Sequence, residues 1–178
     1  MDTRAVAGEV GVSQRTVQRW VHGDGRRKAP IPPARLHQLH QVLAPNALHL
    51  ERQRQQATYA AEALQQIHEG VELESWDRQG WLEQHRVAIV TAGDGRARRV
   101  VTGRVDATEF DSRRGGQVLA QVRVPTRFHA TLLAHAVLSE VEPWRVDLRR
   151  SDAPGTTTWL ADAPAVDLPA LASQVVAS

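Results

Sequence analysis

The stretch Thr3–His22 constrains this chain more tightly than any other. Ala5, Val6, Ala7 and Val10 give a short helix one apolar face. Gly11 follows where that helix needs a left-handed residue to stop. Val12 is apolar and plugs the inside of the turn, and Ser13 is a good N-cap for a second helix beginning Gln14-Arg15-Thr16. Val17, Trp20 and Val21 then recur at i, i+3 and i+4 and mark the buried side of that second helix. Gln14, Arg15, Gln18 and Arg19 are left pointing outward, and Gly23-Asp24-Gly25 ends the run. Two helices locked across a tight turn, the second with a polar, basic outer face, is the arrangement this spacing predicts.

Charge agrees with that face. Residues 1–43 hold seven basic and three acidic side chains, a net of +4. Residues 44–75 hold two and five, a net of −3, and residues 76–178 hold thirteen and twelve, a net of +1. A polyanion would therefore dock at the N-terminal end. Of the 22 basic residues 21 are arginine, which reads guanine and phosphate with two parallel hydrogen bonds where lysine offers a point charge. The chain has no cysteine, which excludes disulfides, thiol catalysis and Cys-based metal sites. No apolar run reaches the ~18–20 residues of a membrane span, and Met1–Val10 lacks the pattern of a signal peptide. The expectation is a cytoplasmic, nucleoid-associated protein.

The string GVSQRTVQRW, with Ala7 where two helices cross and Gly11 four residues later, resembles the helix-turn-helix family of DNA-binding domains. The resemblance covers about twenty residues. It implies that Gln14, Arg15, Gln18 and Arg19 contact base edges in the major groove, where arginine pairs with guanine and glutamine with adenine. Ser13, Thr16 and His22 are then placed for phosphates, joined by the loop cluster Arg26, Arg27 and Lys28. Most members carry a helix before the pair. Here only Met1 and Asp2 precede it, so a later helix must close the core. Pro33–Leu43 is the candidate, with Leu36, Leu39 and Leu43 as its stripe. The phrase RWVHGDGRRKAPIPPARL is also similar to phage and plasmid repressors, in which a Pro-containing loop leads to the next helix.

Residues 46–71 lack proline and, until Gly70, glycine. Leu43, Leu50, Ala57, Leu64 and Val71 recur every seven residues, with Ala47, Ala60, Ala61 and Ile67 partly supplying a second seam. The expectation is a long helix that makes a homodimer through Leu50, Ala57, Leu64 and Ile67, after a bend at Ala44–Pro45.

From Arg86 onward the pattern turns to short β-rich runs: 87–91, 98–105, 117–124, 144–148 and 156–160. Val118, Ala120, Val122 and Val124 share one face, as do Trp144, Val146 and Leu148. A helix over Thr126–Glu140 covers the sheet, and 168–176 is a short helix or a tail. The fold class is α+β, with three expected parts: a helix-turn-helix domain over 1–44, a helical linker and dimerisation segment over 45–75, and an α+β regulatory or oligomerisation domain over 76–178.

His37/His40 and His129/His135 lack a ligating carboxylate at diagnostic spacing, so no metal and no cofactor is expected. No GxSxG, HExxH or phosphate-cradling loop is present, so the chain reads as a non-enzyme. The function expected is a sequence-specific transcriptional regulator, a repressor, bound to double-stranded DNA as a homodimer. A small-molecule or protein effector would act at the C-terminal domain. The alternative is a replicon-end or phage packaging protein. The same motif resembles that of telomere terminal proteins of linear replicons, and small terminase subunits share the order of helix-turn-helix, oligomerising helix and β region.

Overall fold

The computed structural model describes residues 3–22, 30–43, 47–71, 73–92, 95, 97–105, 116–146 and 157–177, with 22, 36, 37, 40, 41, 43 and 92 described in their backbone alone. The described residues fall into two units. The first holds α1 (Thr3–Val10), α2 (Gln14–His22) and α3 (Pro33–Leu43), together with Val146. The second begins at α4 (Ala47–His68) and holds the rest. The fold class is α+β. The bend expected at Ala44–Pro45 lies outside the described residues.

In the first unit Val6, Ala7 and Val10 of α1 meet Val17 of α2, and Val12, Trp20, Val21, Leu39 and Val42 pack around them. The core is thus closed from the C-terminal side by α3, the helix expected there. Leu39 serves as its spacing implies; Val42 is an addition to the expected stripe.

The second unit is built on a four-stranded antiparallel sheet in the order β3-β1-β2-β4. Its strands are β1 (His85–Ala92), β2 (Ala97–Arg104), β3 (Val118–Val124) and β4 (Thr158–Leu160). β1 and β2 form a hairpin in unbroken register from His85↔Arg104 to Ala92↔Ala97. Between β1 and β3 the register shifts after Ile89↔Ala120 to Val90↔Val118, leaving Leu119 as the extra residue of a bulge. Gly116 leads into this edge, where a Cβ would overlap the carbonyl oxygen of Thr91, so no larger residue fits without moving the backbone.

Alternation decides which face is covered. Val87, Ile89, Val100, Val124 and Trp159 point to one side and are buried there beneath α6 (Arg127–Glu140) and α7 (Leu168–Ala177). Leu133 and Val137 of α6 and Leu168 of α7 are fully enclosed in that layer. The C-terminal stretch expected as helix or tail is a helix that completes the cover. On the opposite face Ala88, Val90 and Val101 form a smaller buried cluster.

One departure has a clear cause. The strand expected over 144–148 is not formed in its described part. Glu142–Trp144 is a 3-10 turn with Pro143 in its first positions, where the fixed φ of proline favours a helical start. Arg145 makes one isolated bridge to Trp159, and Asp147 and Leu148 lie outside the described residues. β2 is an inner strand over Arg98 and Arg99, since β4 pairs there.

α4 belongs with the sheet. Ala57, Ala60 and Ala63 are buried, and small side chains let α4 approach α6 closely. Ala60 and Ala63 meet Trp76 and Phe128, with Leu64, Ile67, Trp81, Leu82 and Leu132 around them. Trp76 sits on a short helix, α5 (Glu74–Arg78), that the sequence pattern does not announce. Its indole N–H donates to the Tyr59 hydroxyl at 3.1 Å.

α6 starts at Thr126, whose hydroxyl accepts from the His129 backbone N–H and lies 2.8 Å from its Nδ1. Burial pushes the His129 imidazole below its ordinary pKa. His135 is pushed down as well, first by burial and then by Arg145 and Arg54, against an opposing pull from Glu142. Both rings are therefore harder to protonate folded than unfolded. Their contribution is full above about pH 6.5 and is lost as pH falls below that value, because the unfolded chain takes up protons first. The melting temperature should drop between pH 7.5 and 5.5, and drop less in a His129→Gln/His135→Gln chain; an equal drop in both chains would contradict this.

Candidate nucleic-acid interface

The turn between α1 and α2 is held by its own backbone. Gly11 adopts φ 66°, a conformation costing an L side chain roughly 1–2 kcal/mol. That bend lets Val12 N–H reach the Ala7 carbonyl at 3.0 Å. Ser13 caps α2 as expected: its Oγ accepts from Thr16 N–H at 3.1 Å, and its carbonyl accepts from Thr16 and Val17 N–H.

Val17 is 3% exposed and anchors α2 on α1. Gln14, Arg15, Gln18 and Arg19 are all exposed. At i, i+1, i+4 and i+5 they make one continuous stripe opposite Val17 and Trp20. The structure thus brings together all four residues expected as base contacts. Gln14 is also held from below, its amide donating to the Thr3 hydroxyl at 3.2 Å. Of the residues expected at phosphates, Ser13 is exposed and Thr16 half-buried, with their hydroxyls 2.8 Å apart. The His22 side chain and the cluster Arg26, Arg27 and Lys28 lie outside the described residues.

The charge of this unit is one-sided. Among its described residues Arg4, Arg15, Arg19 and Arg35 face a single acid, Glu9. Arg35 has a structural part that sequence reasoning missed. Its Nη1 donates to the Val10 carbonyl at 2.7 Å and to Gln38 Oε1 at 2.7 Å. Val10 ends α1, where carbonyls lack helical partners and the dipole favours a cation. No spacing rule points to Arg35, because its acceptor lies 25 residues earlier. Arg35→Met should keep the aliphatic stem and remove the bonds, costing about 1 kcal/mol in thermal denaturation followed by circular dichroism. An unchanged melting curve would show that the cap carries no stability.

The residues expected as a dimer seam also have neighbours within the chain. Ala57 is buried, and Leu64 and Ile67 sit in the aromatic cluster with Trp76 and Phe128 of the same chain. Leu50 lines a cleft against the end of α6. Leu50, Leu64 and Ile67 each stay partly exposed.

Among the described residues no group of three or more His, Asp or Glu side chains is placed to hold a metal ion. No described helix is long and apolar enough to cross a membrane. Comparisons with protein families, curated proteins and solved structures find no match for this chain.

Proposed function

We propose that the chain is a sequence-specific DNA-binding transcriptional regulator, a repressor, that reads the major groove of double-stranded DNA with helix 13–22. The observation that carries this reading is the exposed stripe Gln14-Arg15-Gln18-Arg19 on a helix fixed by Val17, Gly11 and the Ser13 cap. Base readout needs side chains of this chemistry on a rigid support. Arginine and glutamine offer the two-bond patterns that guanine and adenine present in the major groove. The positive excess of the first unit supplies the field that draws a polyanion.

One such helix reads only a few base pairs. Two copies on half-sites about 34–36 Å apart would multiply specificity, so a homodimer is part of this reading.

The reading separates two kinds of basic residue. Replacing Arg26, Arg27 and Lys28 together with alanine should weaken binding to every duplex alike. It should also flatten the plot of log affinity against log salt by roughly 0.9 for each phosphate that is no longer neutralised. Fluorescence anisotropy over a salt series measures both. Weakening confined to one sequence would place those three residues on bases instead.

A further inference from the structure

The second unit contains a cleft of about 90 Å3 between α4 and the C-terminal end of α6. Its lining includes Gln53, Arg54, His135, Glu142 and Arg145. We propose that this cleft binds a phosphate group, held between the guanidinium groups of Arg54 and Arg145. This site stands on the second unit alone and does not depend on the DNA reading.

Three observations converge. The first is size: the space admits a group of a few heavy atoms, far below the ~300–1,000 Å3 of pockets that enclose whole drug-sized ligands. The second is charge. Two arginines line the cleft against one carboxylate, Glu142, and a His135 ring held toward its neutral form. Among the described residues the walls therefore carry a net charge of one positive unit. Arg145 is half-buried, and both its burial and Arg54 oppose its charge, with Glu142 giving partial relief. An anion seated between the arginines would remove that repulsion.

The third is orientation. The Arg145 guanidinium donates through Nη2 to Gln53 Oε1, which fixes the plane of its fork. Arg54 is looser: its contact to Glu51 is 3.9 Å at the surface, with 63% of the side chain exposed. Such a pair is weak, so the side chain is cheaply re-aimed at a ligand. A carboxylate offers one two-oxygen edge to a guanidinium fork, whereas a phosphate presents such an edge on more than one side, which suits two arginines facing it from different elements. That asymmetry selects phosphate over carboxylate.

Titration calorimetry on the full chain at constant ionic strength tests the site, with inorganic phosphate, glycerol phosphate and acetate as probes. Saturable one-to-one phosphate binding is expected, with acetate at least tenfold weaker. Arg54→Gln, an exposed and therefore tolerable change, should weaken phosphate roughly tenfold, and Glu142→Gln should tighten it. Tighter binding of glycerol phosphate would identify a phosphate ester as the ligand; equal binding would identify the free ion. An Arg15→Ala/Arg19→Ala chain should bind phosphate like the wild type, which separates this site from the DNA face. Heats no larger than those of matched sodium chloride would overturn the proposal. So would acetate binding equal to phosphate, or an Arg54→Gln chain that binds unchanged.

Discussion

Phe128→Ala is expected to lower the stability of the second unit by about 3–5 kcal/mol, the range for truncating a buried aromatic. Phe128 is 2% exposed, and three aromatic rings meet it edge-on. Its centroid lies 5.0 Å from Trp76, 5.9 Å from Trp81 and 6.1 Å from Tyr59. Each such pair contributes roughly 0.5–1.5 kcal/mol beyond the area it buries. The ring also joins α4, α5 and α6, so its removal leaves a cavity that no single helix can close. The start of α6 is tied to the same place, with Arg127 N–H donating to the Trp81 carbonyl at 2.8 Å and its guanidinium 4.3 Å above the Trp81 ring. Urea denaturation followed by tryptophan fluorescence reads the effect directly, because Trp76 and Trp81 sit against the removed ring. A change below about 1 kcal/mol, the centre of the range for ordinary substitutions, would mean that α4 and α5 are not docked on α6 through this cluster.

Arg15→Ala and Arg19→Ala are each expected to remove about 1–3 kcal/mol of discrimination between the preferred duplex and its single-base variants. Affinity for unrelated DNA should change far less, by the removal of one positive charge. Both side chains are exposed on a helix whose opposite side is buried, so neither truncation should disturb the fold. The effect is therefore legible as recognition. Competition binding with a set of point-mutated duplexes separates the two arginines by the base position at which each loses preference. If both variants keep the wild-type ranking of duplexes, base readout by this helix is wrong, whatever the total affinity does.

The N-terminal unit is readable in the sequence because its signals are local. Gly11, Ser13 and Pro33 each impose a backbone state within a residue or two, and the helix bounds follow from them. β3 is readable for a similar reason, from the period-two spacing of Ala120, Val122 and Val124, although the bulge at Leu119 moves Val118 off their face. What escapes is long-range. The seven-residue spacing along α4 marks an apolar side correctly, but periodicity cannot say whether that side meets a second chain or, through Leu64 and Ile67, the aromatic residues of its own. α5 is five residues long, too short for any period to emerge, and is fixed by Trp76 entering a cluster built from other elements. The alternation of Trp144 and Val146 imitates a strand because two apolar residues in three fit a 3-10 turn followed by an extended residue equally well. At the candidate interface the exposed stripe is legible and the Arg35 cap is not. The phosphate cleft draws its residues from two segments some eighty positions apart, beyond the reach of any motif.

Selection from a randomised duplex library by the purified full chain, run in parallel with the Arg15→Ala/Arg19→Ala chain, asks whether helix 13–22 reads bases. The wild-type chain should enrich one motif, as two inverted half-sites about one helical turn apart. Guanines should occupy the positions whose preference disappears in the double variant. Recovery of a library without sequence preference would contradict that reading, as would enrichment of the same motif by both chains.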